Sequence, residues 1–280
     1  MSESDKAQDS SATDIHPLAA LLRGFAVDFL TSHDVSVVPD IMSEQYCLRI
    51  GEHTLDGRDS QYLPPTEAQI KQFPGLCVTV HDVVYGDNAL AMQFTEHGAS
   101  LRDGGRVATW RGISLFRTDG ERLRWGWAEE DYFARKRQLS SGVCDAVDVP
   151  HPSPWDVASA PPNPEAEEAA RAWLCAPQKM SEVEGSNWLS ATGAGDPPAE
   201  TLVDIHTTNI DELFSAGDRV AFHLEHHGIY RGGFADLDAG LIGKPVVLRA
   251  AGLLTVREHQ VVAARITSDR LGLYRALRFG

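Results

Sequence analysis

The 280-residue chain contains one long sequence twice. The segment Asp131-Tyr132-Phe133-Ala134-Arg135-Lys136-Arg137-Gln138-Leu139 returns about 138 residues later as Asp269-Arg270-Leu271-Gly272-Leu273-Tyr274-Arg275-Ala276-Leu277. Earlier marks return in the same order. Val78-Thr79-Val80-His81 corresponds to Val203-Asp204-Ile205-His206, Gly86-Asp87 to Gly217-Asp218, and Glu96-His97-Gly98 to His226-His227-Gly228. A single repeat at so long a period is a duplicated domain rather than a solenoid, and each copy is long enough to bury its own core. Between the copies, six of the fifteen prolines fall at positions 150 to 164, the composition of a stiff linker. The expected layout is a disordered Ser/Asp/Ala-rich tail at 1–16, a first domain at 17–140, a linker at 141–163 and a second domain at 164–280.

Periodicity fills in the elements. Leu18, Leu21, Leu22, Phe25, Phe29 and Leu30 recur at helical spacing behind Pro17, and Asp34 is placed to cap a second helix at 35–43. A strand at 45–50 and a short helix at 66–72 come next. Strands at 76–85, 89–97, 106–117 and 122–130 follow, separated by Gly/Asp turns. The second copy repeats helices at 165–176 and near 181–189, then strands at 201–214, 219–230, 245–256 and 260–268. It has about nine extra residues at 231–243 and no counterpart of the 45–50 strand or the 66–72 helix. Helices first and a strand meander afterwards make the class α+β.

Charge narrows the partners. Residues 1–140 hold 14 Lys/Arg against 21 Asp/Glu, and the remainder 11 against 19, so both halves are acidic. A phosphate backbone or anionic lipid surface needs a basic footprint, so nucleic acid and membrane are not expected partners, and a small uncharged molecule is. No apolar run reaches membrane-spanning length, and the N-terminus has no signal-peptide pattern. Cys47, Cys77, Cys144 and Cys175 form no CxxC pair and read as reduced thiols of a cytoplasmic protein. GxGxxG, P-loop, GxSxG and HExxH motifs are missing, so no cofactor is expected. His223, Glu225 and His227 share one face of a strand, where three ligands diverge. They read as a polar outer face, and no metal is expected.

The second half reads His226-x-Gly228, Gly232-Gly233-Phe234, Gly243-Lys244-Pro245-Val246 and Asp269-x-x-Gly272-Leu273-x-x-x-Leu277. The first half reads Phe73-Pro74-Gly75-Leu76-x-Val78, Trp127-x-x-x-Asp131 and Gln138-Leu139. Both resemble the SnoaL-like polyketide cyclase family of the nuclear transport factor 2-like superfamily. The resemblance implies two cone-shaped α+β barrels in tandem, each a curved antiparallel sheet around N-terminal helices with a deep pocket. It also implies that Asp131 and Asp269 hold the position of the family's acid/base Asp, and His226 that of its assisting His. Glu96 stands where the first half departs from the pattern.

Strand alternation supplies an independent view. Leu90, Met92 and Phe94 share a face with Glu96, as Val220, Phe222 and Leu224 do with His226. Either polar group ends a core-facing stripe at a pocket, or it faces water at the strand end. Asp131 shares the parity of Leu123, Trp125 and Trp127, a setting that would raise its pKa, and it is also placed to cap a helix. Asp269 shares parity with Val261, Ala263, Arg265 and Thr267. Tyr46, Arg49, Trp110, Trp125, Trp127, His97 and His227 complete the candidate substrate contacts. The reading is a cofactor-independent enzyme doing acid/base chemistry on a hydrophobic polyketide- or terpenoid-like molecule. Cyclisation, isomerisation, dehydration and epoxide opening all fit, the last known among tandem polyether cyclases of this fold. The catalytic candidates are Asp131 with Glu96, and Asp269 with His226. A non-catalytic binding or assembly module is the rival. The repeat also predicts an internal pseudo-dimer packed sheet against sheet, with the larger and more enclosed cavity in the first half.

Overall fold

The computed structural model describes residues 15–176, 196–197 and 199–280. The expected tail at 1–16 falls almost wholly outside them, as does the helical stretch near 181–189.

In the first half, α1 (Pro17–Arg23) continues through a π-helical stretch, Gly24–Thr31, and buries Leu18, Leu22, Phe25 and Phe29. Asp34 caps the next turn by accepting from the Ser36 N–H at 2.9 Å, and α2 (Val38–Ile41) ends where β1 (Met42–Ile50) begins. β2 (His53–Asp56) follows a tight turn at Gly51 and closes a hairpin with β1. Then come α3 (Leu63–Gln72), β3 (Cys77–Tyr85), β4 (Ala89–Ser100), β5 (Arg106–Thr118), β6 (Leu123–Glu130) and α4 (Tyr132–Ser141). The sheet order is β2-β1-β6-β5-β4-β3. It is mixed rather than purely antiparallel, because β1 lies parallel to β6.

In the second half, α5 (Pro164–Leu174) starts at the Asn163 cap and α6 (Ala199–Leu202) leads into the strands. These are β7 (Val203–Ala216), β8 (Arg219–Tyr230), β9 (Pro245–Arg257) and β10 (Gln260–Ser268), followed by α7 (Arg270–Phe279). Sheet order β10-β9-β8-β7 reproduces β6-β5-β4-β3, and the described residues contain no counterpart of β1 or β2. The hairpins correct one correspondence. Val78 pairs with Glu96 and Thr208 with His226, so Thr208, not Val203, stands opposite the position of Val78, and β7 is extended at its start.

Each sheet wraps its concave face around its own helices. The convex faces meet. Val84, Ala89, Ala91, Ile113 and Leu115 pack on Phe214, Ala216, Ala221, Ala251 and Leu253, a nearly symmetric apolar seam. Cross-seam ion pairs flank it: Asp82 to Arg219 at 2.5 Å and Glu212 to Arg117 at 2.8 Å, with Asp82 and Glu212 in equivalent hairpin positions. The segment after α4 runs along the free edge of β3, where His151 N–H reaches the Val80 carbonyl and Ala160 N–H that of Tyr85. This seat uses groups that an edge strand otherwise exposes.

The same bulge occurs in both last strands. Arg117 faces Trp125 while Thr118 faces Leu123, and Val256 faces Val261 while Thr255 faces Ala263. One extra residue, Arg124 or Val262, moves all following side chains to the other face. Leu123 and Ala128 therefore share the first core, and Trp127 joins the seam.

The seam is expected to make the two halves unfold as one cooperative unit. Leu115→Ala removes a fully buried side chain and is expected to cost about 2–5 kcal/mol. Urea unfolding followed by fluorescence should still show one transition, at a lower midpoint, rather than two.

Candidate active site

A cavity of about 280 Å³ opens in the hollow of the first sheet. Its walls are apolar: Phe25 and Leu30 from the first helix, Leu48 from β1, Phe94 from β4, Phe116 from β5 and Ala128 from β6. Tyr46 and Tyr62 close one side, edge to face with ring centroids 5.1 Å apart. The mouth carries exposed Glu52, His53 and Arg275 together with Asp269, Leu271 and Gly272, so α7 of the second half forms part of the rim.

Two carboxylates meet in this hollow. Glu96 ends the apolar stripe of β4, 3% exposed, and accepts from Gln69 Nε2 at 2.7 Å. Glu130 ends β6 and accepts from Trp110 Nε1 at 2.8 Å, and Trp110 is the cross-strand neighbour of Glu96. Burial, reinforced by the neighbouring Glu130 charge, holds Glu96 well above the usual carboxylate range. Burial also raises Glu130, against the pull of Arg135, Trp110 and Tyr132. The Arg135 guanidinium favours the anion of both. It lies over the Tyr132 ring at 4.2 Å and the Trp110 ring at 4.8 Å, and bonds Gln69 Oε1 at 3.0 Å. Like charges so placed favour one shared proton over two ionised groups.

A third carboxylate, Glu129, lies where cavity, mouth and seam meet, 1% exposed. It accepts from Gly51 N–H at 3.2 Å and lies 3.0 Å from His223 Nε2; His223 Nδ1 is 3.0 Å from Asp211, which pairs with Arg49 at 3.2 Å. Burial pushes Glu129 up to about 7 despite His223. Burial opposes the imidazolium, but Asp211 and Glu129 outweigh it and raise His223. Gly51 is needed here: its φ is +52°, and a Cβ would stand 2.8 Å from Asp269 Oδ2.

Of the residues named from sequence, Glu96, Tyr46 and Asp269 line the cavity. Asp269 sits at the rim, capping α7 through Gly272 N–H at 2.7 Å, and burial raises its pKa. Asp131 does not line it. It caps α4 through Ala134 N–H and forms a buried ion pair with Arg270 of the second half. The bulge at Arg124 is the reason: it puts the even-numbered residues of β6 on the concave face, so Glu130 occupies the place that uninterrupted alternation gives to Asp131. His226 is fully buried, 2.9 Å from Thr208, and burial pushes it down to about 4. It does not line this cavity. The second-half counterparts of Trp110 and Glu130 are Leu248 and Ser268, so the carboxylate pair is not repeated there.

Trp110 supports the pair from behind. Trp127 packs in the seam, and Trp125 is 45% exposed under Arg124. Arg49 serves Asp211, His97 bonds Thr79 and His227 bonds Asn209. His223 corrects the expectation of a wet outer face. The face is the outer one, but the seam covers it, leaving His223 2% exposed. Glu129, Glu130, His223 and Asp211 were not among the sequence candidates; the run Glu129-Glu130-Asp131 before a helix was their available signal. Among the described residues, no cluster of His, Cys, Asp and Glu is arranged to hold a metal ion. A more polar space of about 410 Å³, lined by His81, Gln93, Arg111, Asp148, Arg265 and Thr267, lies between the halves.

Raised carboxyl pKa values give a definite pH dependence. Glu96 and Glu130 are disfavoured as anions in the folded chain, so stability is unaffected below their unfolded range and falls as pH rises through it toward the folded values. Glu96→Gln is therefore expected to flatten the loss of melting temperature between pH 5 and pH 8. A fall as steep as in the wild type would contradict this electrostatic account.

Residues 22–125 match the family model for the SnoaL-like domain. Similar solved structures include a protein assigned as a polyketide cyclase from Acidithiobacillus ferrooxidans, 16% identical, covering 46% of this chain and 97% of its own, TM-score 0.41. A protein assigned as a SnoaL-like polyketide cyclase from Jannaschia is 15% identical over 50% of this chain and 99% of its own, TM-score 0.41. TsrD from Streptomyces laurentii is 16% identical over 50% and 99%, TM-score 0.40. Likenesses at this level say nothing of substrate or reaction. No curated protein matches the sequence. Residues 22–125, less than half of the chain, are thus similar to the SnoaL-like domain, and they lie in the α+β first half.

Proposed function

We propose that the chain is an acid/base enzyme acting on a hydrophobic small molecule in the first-half cavity, with Glu96 and Glu130 as the reacting pair. The observation that carries this is two buried carboxylates beside one indole, Trp110, at the polar end of an otherwise apolar hollow. Such a pair favours sharing one proton, so an acid and a base stand together. Epoxide opening uses both at once. The ionised carboxylate takes the proton of the attacking hydroxyl as its oxygen bonds to carbon. The C–O bond breaks, and the protonated carboxyl gives its proton to the epoxide oxygen. The pair ends with one proton, on the other member. Aldol-type cyclisation and isomerisation need the same two functions in sequence.

The pair variants Glu96→Gln and Glu130→Gln test this on an aryl epoxide and on 5-nitrobenzisoxazole, a probe opened by proton abstraction. Each is expected to lose roughly 10²–10⁴-fold in kcat, and the double variant little more than either single one. Full activity in Glu96→Gln would overturn the assignment. A wild-type chain that binds these compounds without turning them over would favour the binding-module reading.

A further inference from the structure

We infer that Glu129, held by His223 and Asp211 of the second half, is a second proton-transfer group of the first-half cavity, so that the reactive site is assembled from both halves. This rests on the reading of the cavity as the reactive site.

Three observations carry it. The first is access: Glu129 is buried from bulk solvent yet lines the cavity beside Gly51 and Asp269. The second is connectivity. His223 has a carboxylate at 3.0 Å on each ring nitrogen, so Asp211 fixes the Nδ1 proton and turns Nε2 toward Glu129. A proton can then reside on either Glu129 or His223, while Asp211 behind them is held below its ordinary value, against burial, by His223 and then Arg49. Asp211 reaches His223 because a bulge in β7, between Ile210 and Glu212, turns it toward the seam.

The third observation is asymmetry. The seam repeats the positions of these three residues on its opposite side, where Thr267 stands for Glu129, Gln93 for His223 and His81 for Asp211. That side has no carboxylate–imidazole–carboxylate triad and leaves a polar space of about 410 Å³ between the halves. The triad stands on the side where the apolar cavity opens. Other charged groups around it are Asp269 and Glu52 at the rim and the ion pair Arg249–Glu225, 2.9 Å apart, beside His223.

The probe is 5-nitrobenzisoxazole, whose C3 proton goes to a base while the C–H pair forms the nitrile and the N–O bond breaks, leaving a phenolate. In the full chain carrying Glu96→Gln and Glu130→Gln, a residual rate is expected that rises with pH to a plateau, with a midpoint near the value of about 7 held by Glu129. Adding Glu129→Gln should remove that residual rate at least tenfold. In the same background, His223→Gln should move the midpoint upward by at least half a pH unit, because the imidazolium favours the Glu129 anion. A role limited to packing would lower the rate without moving the midpoint. Independently of turnover, Glu129→Gln should lower the His223 titration midpoint, read by ring-nitrogen NMR, by at least one unit. An unmoved His223 midpoint, or a Glu129→Gln single variant with the wild-type rate, overturns the inference while leaving the Glu96–Glu130 pair intact. Loss of rate in Glu129→Gln but not in Glu96→Gln or Glu130→Gln sinks the paired reading and keeps this one.

Discussion

The contact between the convex faces of the two sheets is the interaction on which the rest of the molecule depends. A single curved sheet buries its concave face around helices and leaves the other face to be covered. Here the covering surface is a second copy of the same hairpins, with Ile113 and Leu115 on one side meeting Ala251 and Leu253 on the other. The seam excludes water from groups that would otherwise lie on a wet sheet surface. Glu129 and His223 owe their burial to it. Desolvated charges are tolerated only when partnered, and the partners come from the opposite half.

The duplication has also divided labour. The first copy keeps the β1–β2 hairpin and α3, and with them the walls of an apolar cavity and the carboxylate pair at its end. At the matching positions, the second copy carries Leu248 and Ser268 in place of Trp110 and Glu130. It contributes instead from outside: α7 to the rim, Asp211 and His223 to Glu129, and Arg270 to Asp131. Two carboxylates capping equivalent helices, Asp131 and Asp269, have thereby acquired different surroundings. One is locked in an ion pair and the other faces the cavity mouth.

Much of the fold was legible in the chain itself. The repeat, the α+β order, most strand positions and the inward stripe Leu90-Met92-Phe94-Glu96 follow from spacing alone, because alternation and helical periodicity are local properties. Glu96 was found for that reason. Glu130 was missed for an equally local reason with a nonlocal cause. The bulge at Arg124 is set by pairing with β5, and one inserted residue exchanges the two faces of everything after it. Alternation read across the bulge therefore leads to Asp131, one residue too far.

The amino-acid sequence by itself determined that two copies of one α+β domain exist, that both are acidic, and that Glu96 ends a core-facing stripe. Tertiary structure alone decided which faces stay wet. No periodicity distinguishes a sheet face exposed to solvent from one covered by another half of the same chain, since both carry mixed polar and apolar residues. His223 and Asp211 belong to one half and Glu129 to the other, more than eighty residues away in sequence, and only the seam brings them within hydrogen-bonding distance.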